Sequence, residues 1–169
     1  PDGQGIGLAG FALQQPDFPF ATLSPLCPAG TFWYLLHGRL DRLLDDVLSR
    51  HTVDPRRVYL AGVSMGGMGV WSMAMAYPER FAAGAPIAGG VYTPPMRRRF
   101  SRMADVPVWA FHARGDQSIP LKKNRAAVED LVDAGGAARL TILEGDEHYI
   151  HDEVFADGAV FDWFLRHAR

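Results

Sequence analysis

Three side chains of this sequence have the types, and the order along the chain, that nucleophilic catalysis by serine requires: Ser64, Asp116 and His148. A serine hydroxyl is a poor nucleophile at neutral pH and needs a base to take its proton during attack. His148 could take that proton and later return it to a leaving alkoxide. Asp116 could hold the imidazole in one tautomer and stabilise the imidazolium. These residue types predict a nucleophile, a base and an acid.

Ser64 stands in the pattern Gly-x-Ser-x-Gly, which residues 62–66 form. The pattern alone is weak, because glycine and serine are common residues. Here it follows the apolar run 58–61, which predicts a buried strand, and precedes residues 68–77, which predict a helix ended by Pro78. A serine on the turn between a strand and a helix is the context of a nucleophile elbow.

The turn of a nucleophile elbow is sharp and strained, so it needs small residues two positions before and after the serine. Gly62 and Gly66 provide them. The helix that follows Ser64 then begins at the reacting atom, and its first backbone N–H groups can bind an anion. We therefore expect the N–H of Met65 to donate a hydrogen bond to an oxyanion.

The other two residues each follow a predicted strand. Asp116 comes after the apolar run 106–112, and His148 comes after the predicted strand 139–143. In an open parallel sheet, ligands bind beyond the carboxyl ends of the strands. Side chains that follow different strands therefore meet at one edge of the sheet, and we expect Asp116 and His148 to lie near Ser64.

Each assignment has alternatives. His151 lies close enough in sequence to replace His148 as the base, whereas His112 lies inside an apolar strand and is predicted to be a core histidine. The spacing of His148 and His151 is compatible with a metal pair, but no further ligand cluster accompanies it, so we predict no metal and no cofactor. Three other carboxylates are weaker candidates for the acid: Asp105, Asp146 and Asp152.

Composition limits the function further. The chain has 169 residues, is 48% hydrophobic and 21% charged, and carries a net charge of -2. These values are typical of a folded globular domain and give no reason to expect nucleic acid as a partner. No apolar run approaches the roughly 20 residues of a membrane span. The one cysteine, Cys27, has no partner for an internal disulfide and is predicted to be a buried structural thiol.

Apolar runs and helical periodicity alternate along the chain, which predicts a mainly parallel α/β sheet flanked by helices. The predicted strands are residues 20–24, 58–61, 82–88, 106–112 and 139–143. The predicted helices are residues 6–13, 39–51, 68–77, 120–134 and 154–167.

Three single residues and one run of arginines are candidates for contact with a substrate. Trp33, Gly90 and Tyr92 are expected to line a pocket, with ordinary packing as the alternative. The run of arginines at 97–99 is predicted to be a solvated loop, or else to face an acidic substrate.

Residues 53–67 resemble the α/β-hydrolase superfamily, and more narrowly its small phospholipase/carboxylesterase-like and prolyl-oligopeptidase-like esterases, relatives of feruloyl and polyhydroxybutyrate esterases. Further stretches that carry the resemblance are residues 24–33, 106–116, His148 and residues 162–165. The resemblance implies Ser64 as nucleophile, Asp116 as acid and His148 as base in the hydrolysis of small-molecule carboxylic esters through an acyl-enzyme. Two alternatives remain: a peptidase of the prolyl-oligopeptidase type, and an inactive or binding domain that retains these residues.

The sequence departs from that family at its beginning. The family has earlier strands, one of which is followed by a His-Gly motif that supplies a second oxyanion donor. His37 and Gly38 imitate this motif, but they follow the stretch at which the family enters a helix and not the place of the oxyanion loop, so an oxyanion role for them is the less favoured alternative. Residues 1–169 are thus expected to be a single α/β-hydrolase domain that is incomplete at its N-terminus. Its sheet would keep an exposed edge, which a second copy could cover, so a homo-oligomer is one alternative.

Overall fold

The computed structural model describes residues 7–91 and 99–169. Within them, a sheet of parallel strands has the spatial order of the sequence, β1-β2-β3-β4. The predicted mainly parallel α/β architecture is therefore confirmed. The strands are β1 (Tyr59–Val63), β2 (Ala83–Ile87), β3 (Val108–Ala113) and β4 (Ala138–Leu143).

Six α-helices and three short 3₁₀ turns connect or cover the described strands. The helices are α1 (Leu8–Leu13), α2 (His37–Arg50), α3 (Met65–Ala76), α4 (Leu121–Asp133), α5 (His151–Ala156) and α6 (Ala159–Leu165). The 3₁₀ turns are Trp33–Leu35, Pro78–Arg80 and Phe100–Met103.

Helices pack on both faces of the sheet, as is usual for parallel sheets. On one face, Val108 and Ala110 of β3 pack with α3 and α4, and Leu40 of α2 lies against the same cluster. On the other face, Phe111 and Ala113 pack with α5 and α6. Alternate residues of β3 thus point to opposite sides, as the period of a strand requires.

The predicted strand 20–24 is wrong, because these residues form no regular element. Phe20 packs its ring against Phe18 and Phe161, and the residues that follow it are exposed. The apolar character of this stretch therefore reflects an aromatic contact with the helical layer and not membership of the sheet.

The predicted closing helix 154–167 is also wrong in its continuity. Helix α5 ends at Ala156 and α6 begins at Ala159. Between them Gly158 has φ 72°, in the left-handed region that glycine adopts at little cost. The carboxylate of Asp157 accepts the N–H of Ala159 at 2.9 Å and so satisfies one of the free amides at the start of α6.

Candidate active site

Ser64 lies on the turn between β1 and α3. Its backbone has φ 56° and ψ -116°, a strained conformation for a residue other than glycine. The N–H of Ser64 donates to the carbonyl of Ile87 at the end of β2, at 2.9 Å, and its own carbonyl accepts the N–H of Met68 at 3.0 Å. These bonds hold the turn against the neighbouring strand and the first turn of α3.

Gly62 and Gly66, which the sequence pattern treats as equivalent, have different surroundings in the structure. A Cβ at Gly62 would lie 2.4 Å from the carbonyl oxygen of Gly66, a distance that backbone atoms cannot tolerate. A Cβ at Gly66 would meet no atom within 4 Å. The expectation that Gly66 must be small for steric reasons is therefore wrong, whereas Gly62 is required by the close approach of the chain to itself.

A second pair of glycines, which the sequence reasoning missed, brings α3 against the end of β2. A Cβ at Gly67 would lie 2.7 Å from the carbonyl oxygen of Ile87, and a Cβ at Gly89 would lie 2.6 Å from the carbonyl carbon of Gly67. Consecutive glycines at 66–67 and 89–90 were the available signal. Their backbones touch, and this contact fixes the position of the helix N-terminus beside Ser64.

Ser64, His148 and Asp116 form a continuous chain of hydrogen bonds. The Nδ1 atom of His148 lies 2.8 Å from Oδ2 of Asp116, and its Nε2 lies 2.8 Å from Oγ of Ser64. A carboxylate can only accept, so Nδ1 carries the proton and Nε2 is free to accept the hydroxyl proton of Ser64. The side chain of His148 is 13% exposed, and that of Asp116 is fully buried.

Asp116 is further held by the backbone that follows it. Its Oδ1 accepts the N–H groups of Ser118 and Ile119 at 2.8 and 3.0 Å. Burial raises the pKa of the Asp116 carboxyl, but the hydrogen bonds from His148, Ile119 and Ser118 lower it by more, and the pKa lies below its ordinary value. The site therefore contains an ionised carboxylate whose orientation is fixed by the hydrogen-bond donors around it.

The alternative residues lie apart from this chain of hydrogen bonds. His151 is buried at the start of α5, and its Nε2 lies 3.7 Å from Oδ1 of Asp152, an exposed carboxylate. Asp105 and Asp146 are also exposed. As expected, His112 is a core residue with 0% exposure.

Met65 is the first residue of α3. The first N–H groups of a helix have no acceptor within the helix, and they form the positive end of its dipole. The position of Met65 at the start of this helix, directly after Ser64, is compatible with the expected role of its N–H as an oxyanion donor.

The candidates for contact with a substrate have different surroundings. Trp33 is half-buried and packs on α3, where a Cβ at Gly69 would lie 3.0 Å from its Cβ. Gly90 is buried against α4, because a Cβ there would lie 2.8 Å from the Cβ of Lys123. Tyr92 and the first two arginines of the run 97–99 lie outside the described residues, whereas Arg99 is exposed.

His37 and Gly38 are the first two residues of α2, which begins two residues before the predicted helix 39–51. The Nε2 atom of His37 contacts Oγ of Ser72, which lies roughly 12 Å from Ser64 along the axis of α3. Burial, and then the charge of Arg99, lower the pKa of His37. The contact between His37 and Ser72 therefore holds α2 against the middle of α3.

Three further observations apply to residues 7–91 and 99–169, which the structure describes. In them no cluster of three His, Cys, Asp or Glu residues is arranged to hold a metal ion. No helix of these ranges has the length and apolar character needed to cross a membrane. Cys27 is only half-buried, contrary to expectation, and its Sγ lies 3.7 Å from the carbonyl oxygen of Thr31.

Comparisons with known proteins show the family and the fold of the chain. The sequence profile of the phospholipase/carboxylesterase family matches residues 37–161. S-formylglutathione hydrolase from Paracoccus denitrificans is 29% identical over 154 residues, which cover 88% of this chain and 50% of that protein. Poly(3-hydroxyalkanoate) depolymerase C from Paucimonas lemoignei is 43% identical over 53 residues, or 31% of this chain and 13% of that protein.

Among solved structures, a thermostable esterase superposes with a TM-score of 0.77 at 28% identity, covering 86% of this chain and 43% of that one. The chain spans about half the length, or less, of these relatives. The matched profile covers most of the chain, including the strands, the turn at Ser64 and the loop at His148. The chain therefore belongs to the phospholipase/carboxylesterase family and has the α/β-hydrolase fold.

Proposed function

We propose that this chain carries the catalytic centre of a serine hydrolase that cleaves carboxylic esters of small molecules through an acyl-enzyme. The observation that carries the proposal is the unbroken chain of hydrogen bonds from Oγ of Ser64 through His148 to Asp116. It is supported by the strained backbone of Ser64 and by the family to which the chain belongs.

In the acylation half-reaction, Oγ of Ser64 attacks the carbonyl carbon of the ester while Nε2 of His148 takes the hydroxyl proton. The resulting tetrahedral oxyanion accepts the N–H of Met65. When the intermediate collapses, the bond from carbon to the alkoxy oxygen breaks. His148 returns its proton to that oxygen, so the alcohol leaves and the acyl group stays on Ser64.

In the deacylation half-reaction, water takes the place of the alcohol. His148 removes a proton from the water as its oxygen attacks the acyl carbon, and then gives that proton to Oγ of Ser64 as the acyl bond breaks. The carboxylic acid leaves, and the serine is regenerated. Asp116 remains ionised throughout and stabilises the imidazolium that forms in each half-reaction.

The test is hydrolysis of p-nitrophenyl acetate by the 169-residue chain and by Ser64→Ala. We expect the substitution to lower kcat by at least ~10³-fold, because the residues of a triad act as a unit. Ser49→Ala is the matched control, since Ser49 is exposed on α2 and bonds only the carbonyl of Asp46 in its own helix. It should retain full activity.

A folded chain that hydrolyses the ester no faster than Ser64→Ala would contradict the proposal and favour an inactive or binding domain. Activity lost in Ser64→Ala on a peptide substrate, without ester hydrolysis, would instead favour the peptidase alternative. Folding of each variant is checked by circular dichroism before the comparison is made.

A further inference from the structure

His112 is a buried titratable side chain that the reaction above does not use. It lies on β3, four residues before Asp116, with 0% exposure, on the face of the sheet that α3 and α4 cover. Its Nε2 lies 2.8 Å from the carbonyl oxygen of Ile119 and 3.2 Å from Oδ2 of Asp116. A core histidine is therefore in contact with the proposed acid of the site.

The protonation of His112 follows from its neighbours. The indole N–H of Trp71 can only donate, and it lies 3.2 Å from Oδ1 of Asn124, which fixes the orientation of that amide. The amide nitrogen of Asn124 then faces the carbonyl oxygen of Phe111 and Nδ1 of His112, each at 3.2 Å. Because an amide nitrogen only donates, Nδ1 of His112 accepts, and the proton of the neutral ring is on Nε2.

The N–H of His112 thus donates to the carbonyl oxygen of Ile119, and the same nitrogen lies 3.2 Å from Oδ2 of Asp116. Oδ2 is therefore close to two imidazoles, since Nδ1 of His148 lies 2.8 Å from it. Oδ1 accepts two backbone amides, and one of them belongs to Ile119, the residue whose carbonyl His112 holds. The groups of α3 and α4 that bond in this network, Trp71 and Asn124, carry no charge.

We propose that His112 is a positioning residue, which uses the buried relay from Trp71 through Asn124 to fix the direction in which Asp116 presents Oδ2 to His148. This inference rests on the proposed function of Ser64, His148 and Asp116. The side chain of Asp116 is restricted, because rotation about its last bond would break the hydrogen bonds to both of its oxygens. Supporting hydrogen bonds of this kind orient the groups that react, and their loss typically lowers activity.

The activity test compares two substitutions at the same buried position. His112→Met keeps the volume but removes the N–H donor, whereas an amide N–H of His112→Gln can replace Nε2–H. We expect His112→Met to lower kcat by roughly 10-fold with KM nearly unchanged, and His112→Gln to recover most of the loss. Val108→Ala is the control for packing, because Val108 is buried on the same face of β3 and has no polar side chain.

A purely structural role would not change the pH profile. In His112→Met, the polar Nε2–H group that lies 3.2 Å from Oδ2 of Asp116 is absent, so the negative charge of Asp116 favours the imidazolium of His148 more strongly. We therefore expect the acidic limb of kcat/KM to move to higher pH in this variant and to stay in place in Val108→Ala. An unchanged limb, or equal losses in His112→Met and His112→Gln, would overturn the positioning role.

Nitrogen-15 NMR of the imidazole rings tests the relay without any substrate and without a core substitution. In the unmodified chain we expect His112 to carry its proton on Nε2 and to keep Nδ1 unprotonated. A proton on Nδ1 would overturn the inference even if His112→Met fails to fold. The same spectrum separates this inference from the proposed function, because an Nε2–H tautomer in a chain without esterase activity would contradict the function and retain the relay.

Discussion

Asp116 keeps its charge in a fully buried position because donors reach both of its oxygens. Burial of an unpaired carboxylate is costly, and the usual outcome is protonation. Here His148 and the backbone amides of Ile119 and Ser118 provide the partners, and although burial raises the pKa, the net effect is a pKa below the ordinary value. At the scale of single residues, the hydrogen bonds around Asp116 thus keep its carboxylate ionised and oriented in the absence of a substrate.

Asp116→Asn should separate the effects of charge and shape. We expect kcat to fall by ~10²–10⁴-fold, because an amide in place of the carboxylate favours the wrong tautomer of His148 and no longer stabilises the imidazolium. Parallel assays of p-nitrophenyl acetate hydrolysis measure the effect, and the exposed Asp105→Asn serves as the control. Equal rates for Asp116→Asn and the unmodified chain would contradict the proposed role.

Asp116→Asn should also change how the free energy of unfolding depends on pH. A carboxyl with a depressed folded-state pKa stabilises the fold above its unfolded pKa of about 4, and this contribution is lost as the pH falls through the folded-state value. The free energy of unfolding should therefore fall less steeply below about pH 4 in Asp116→Asn than in the unmodified chain. Urea denaturation at a series of pH values measures both slopes, and identical slopes would be the contrary result.

At the scale of elements, the turn between β1 and α3 decides where Ser64 points. Its geometry depends on backbone contacts that only glycines allow, at Gly62 against Gly66 and at Gly67 against Gly89. These contacts join the elbow to the end of β2 as well as to α3. The position of Ser64 is therefore set by two strands and a helix together.

Gly62→Ala and Gly66→Ala form a matched pair of substitutions within this turn. Gly62→Ala should destabilise the fold by about 1–3 kcal/mol or more and abolish esterase activity, because its Cβ would collide with the backbone of Gly66. Gly66→Ala should keep the fold and raise its stability by up to ~1 kcal/mol, since alanine favours a helix more than glycine does. Thermal unfolding distinguishes the two, and similar losses in both would show that the contact at Gly62 is not the cause.

At the scale of the whole molecule, the described N-terminal segment and the last two helices share one aromatic cluster. Phe161 of α6 lies 5.0–6.0 Å, between ring centroids, from four other rings. The C-terminal residues return to β1, because the hydroxyl of Tyr59 donates to the carbonyl of His167 at 2.8 Å. These contacts tie both ends of the described chain to one face of the sheet. The rings around Phe161 are Phe11, Phe18, Phe20 and Phe155.

Phe161→Ala tests this closure. We expect a loss of about 3–5 kcal/mol in the free energy of unfolding, which is usual for a buried phenylalanine. Phe32→Ala, at a ring that is 47% exposed, should cost less than ~1 kcal/mol. Urea denaturation measures both values, and a small effect at Phe161 would mean that the N-terminal segment contributes little to the fold.

Two statements about the whole molecule stay predictions. One is that residues 1–169 form a single α/β-hydrolase domain, and the other is that a second copy covers the free edge of the sheet. Strand β1 pairs with β2 alone in the described sheet, and an edge strand of this kind is where a second copy could pair.

The sequence by itself determined the order of the elements and the candidates for chemistry. Alternation of apolar runs and helical periodicity was enough for the four observed strands, because their apolar patterns are local. Local context was also enough to select Ser64, since a strand, a glycine-flanked serine and a helix occur consecutively. The positions of Asp116 and His148 after predicted strands selected the other two residues, and the resemblance to a family implied the same pairing.

Only the tertiary structure decided the contacts between residues far apart in the chain. Phe20 was predicted in a strand and instead packs on α6, because an apolar run does not reveal which layer it joins. The role of Gly62 and the closeness of His112 to Asp116 likewise depend on distances of a few ångströms across the fold. Such distances result from how strands and helices pack around the core, and no local pattern in the sequence records them.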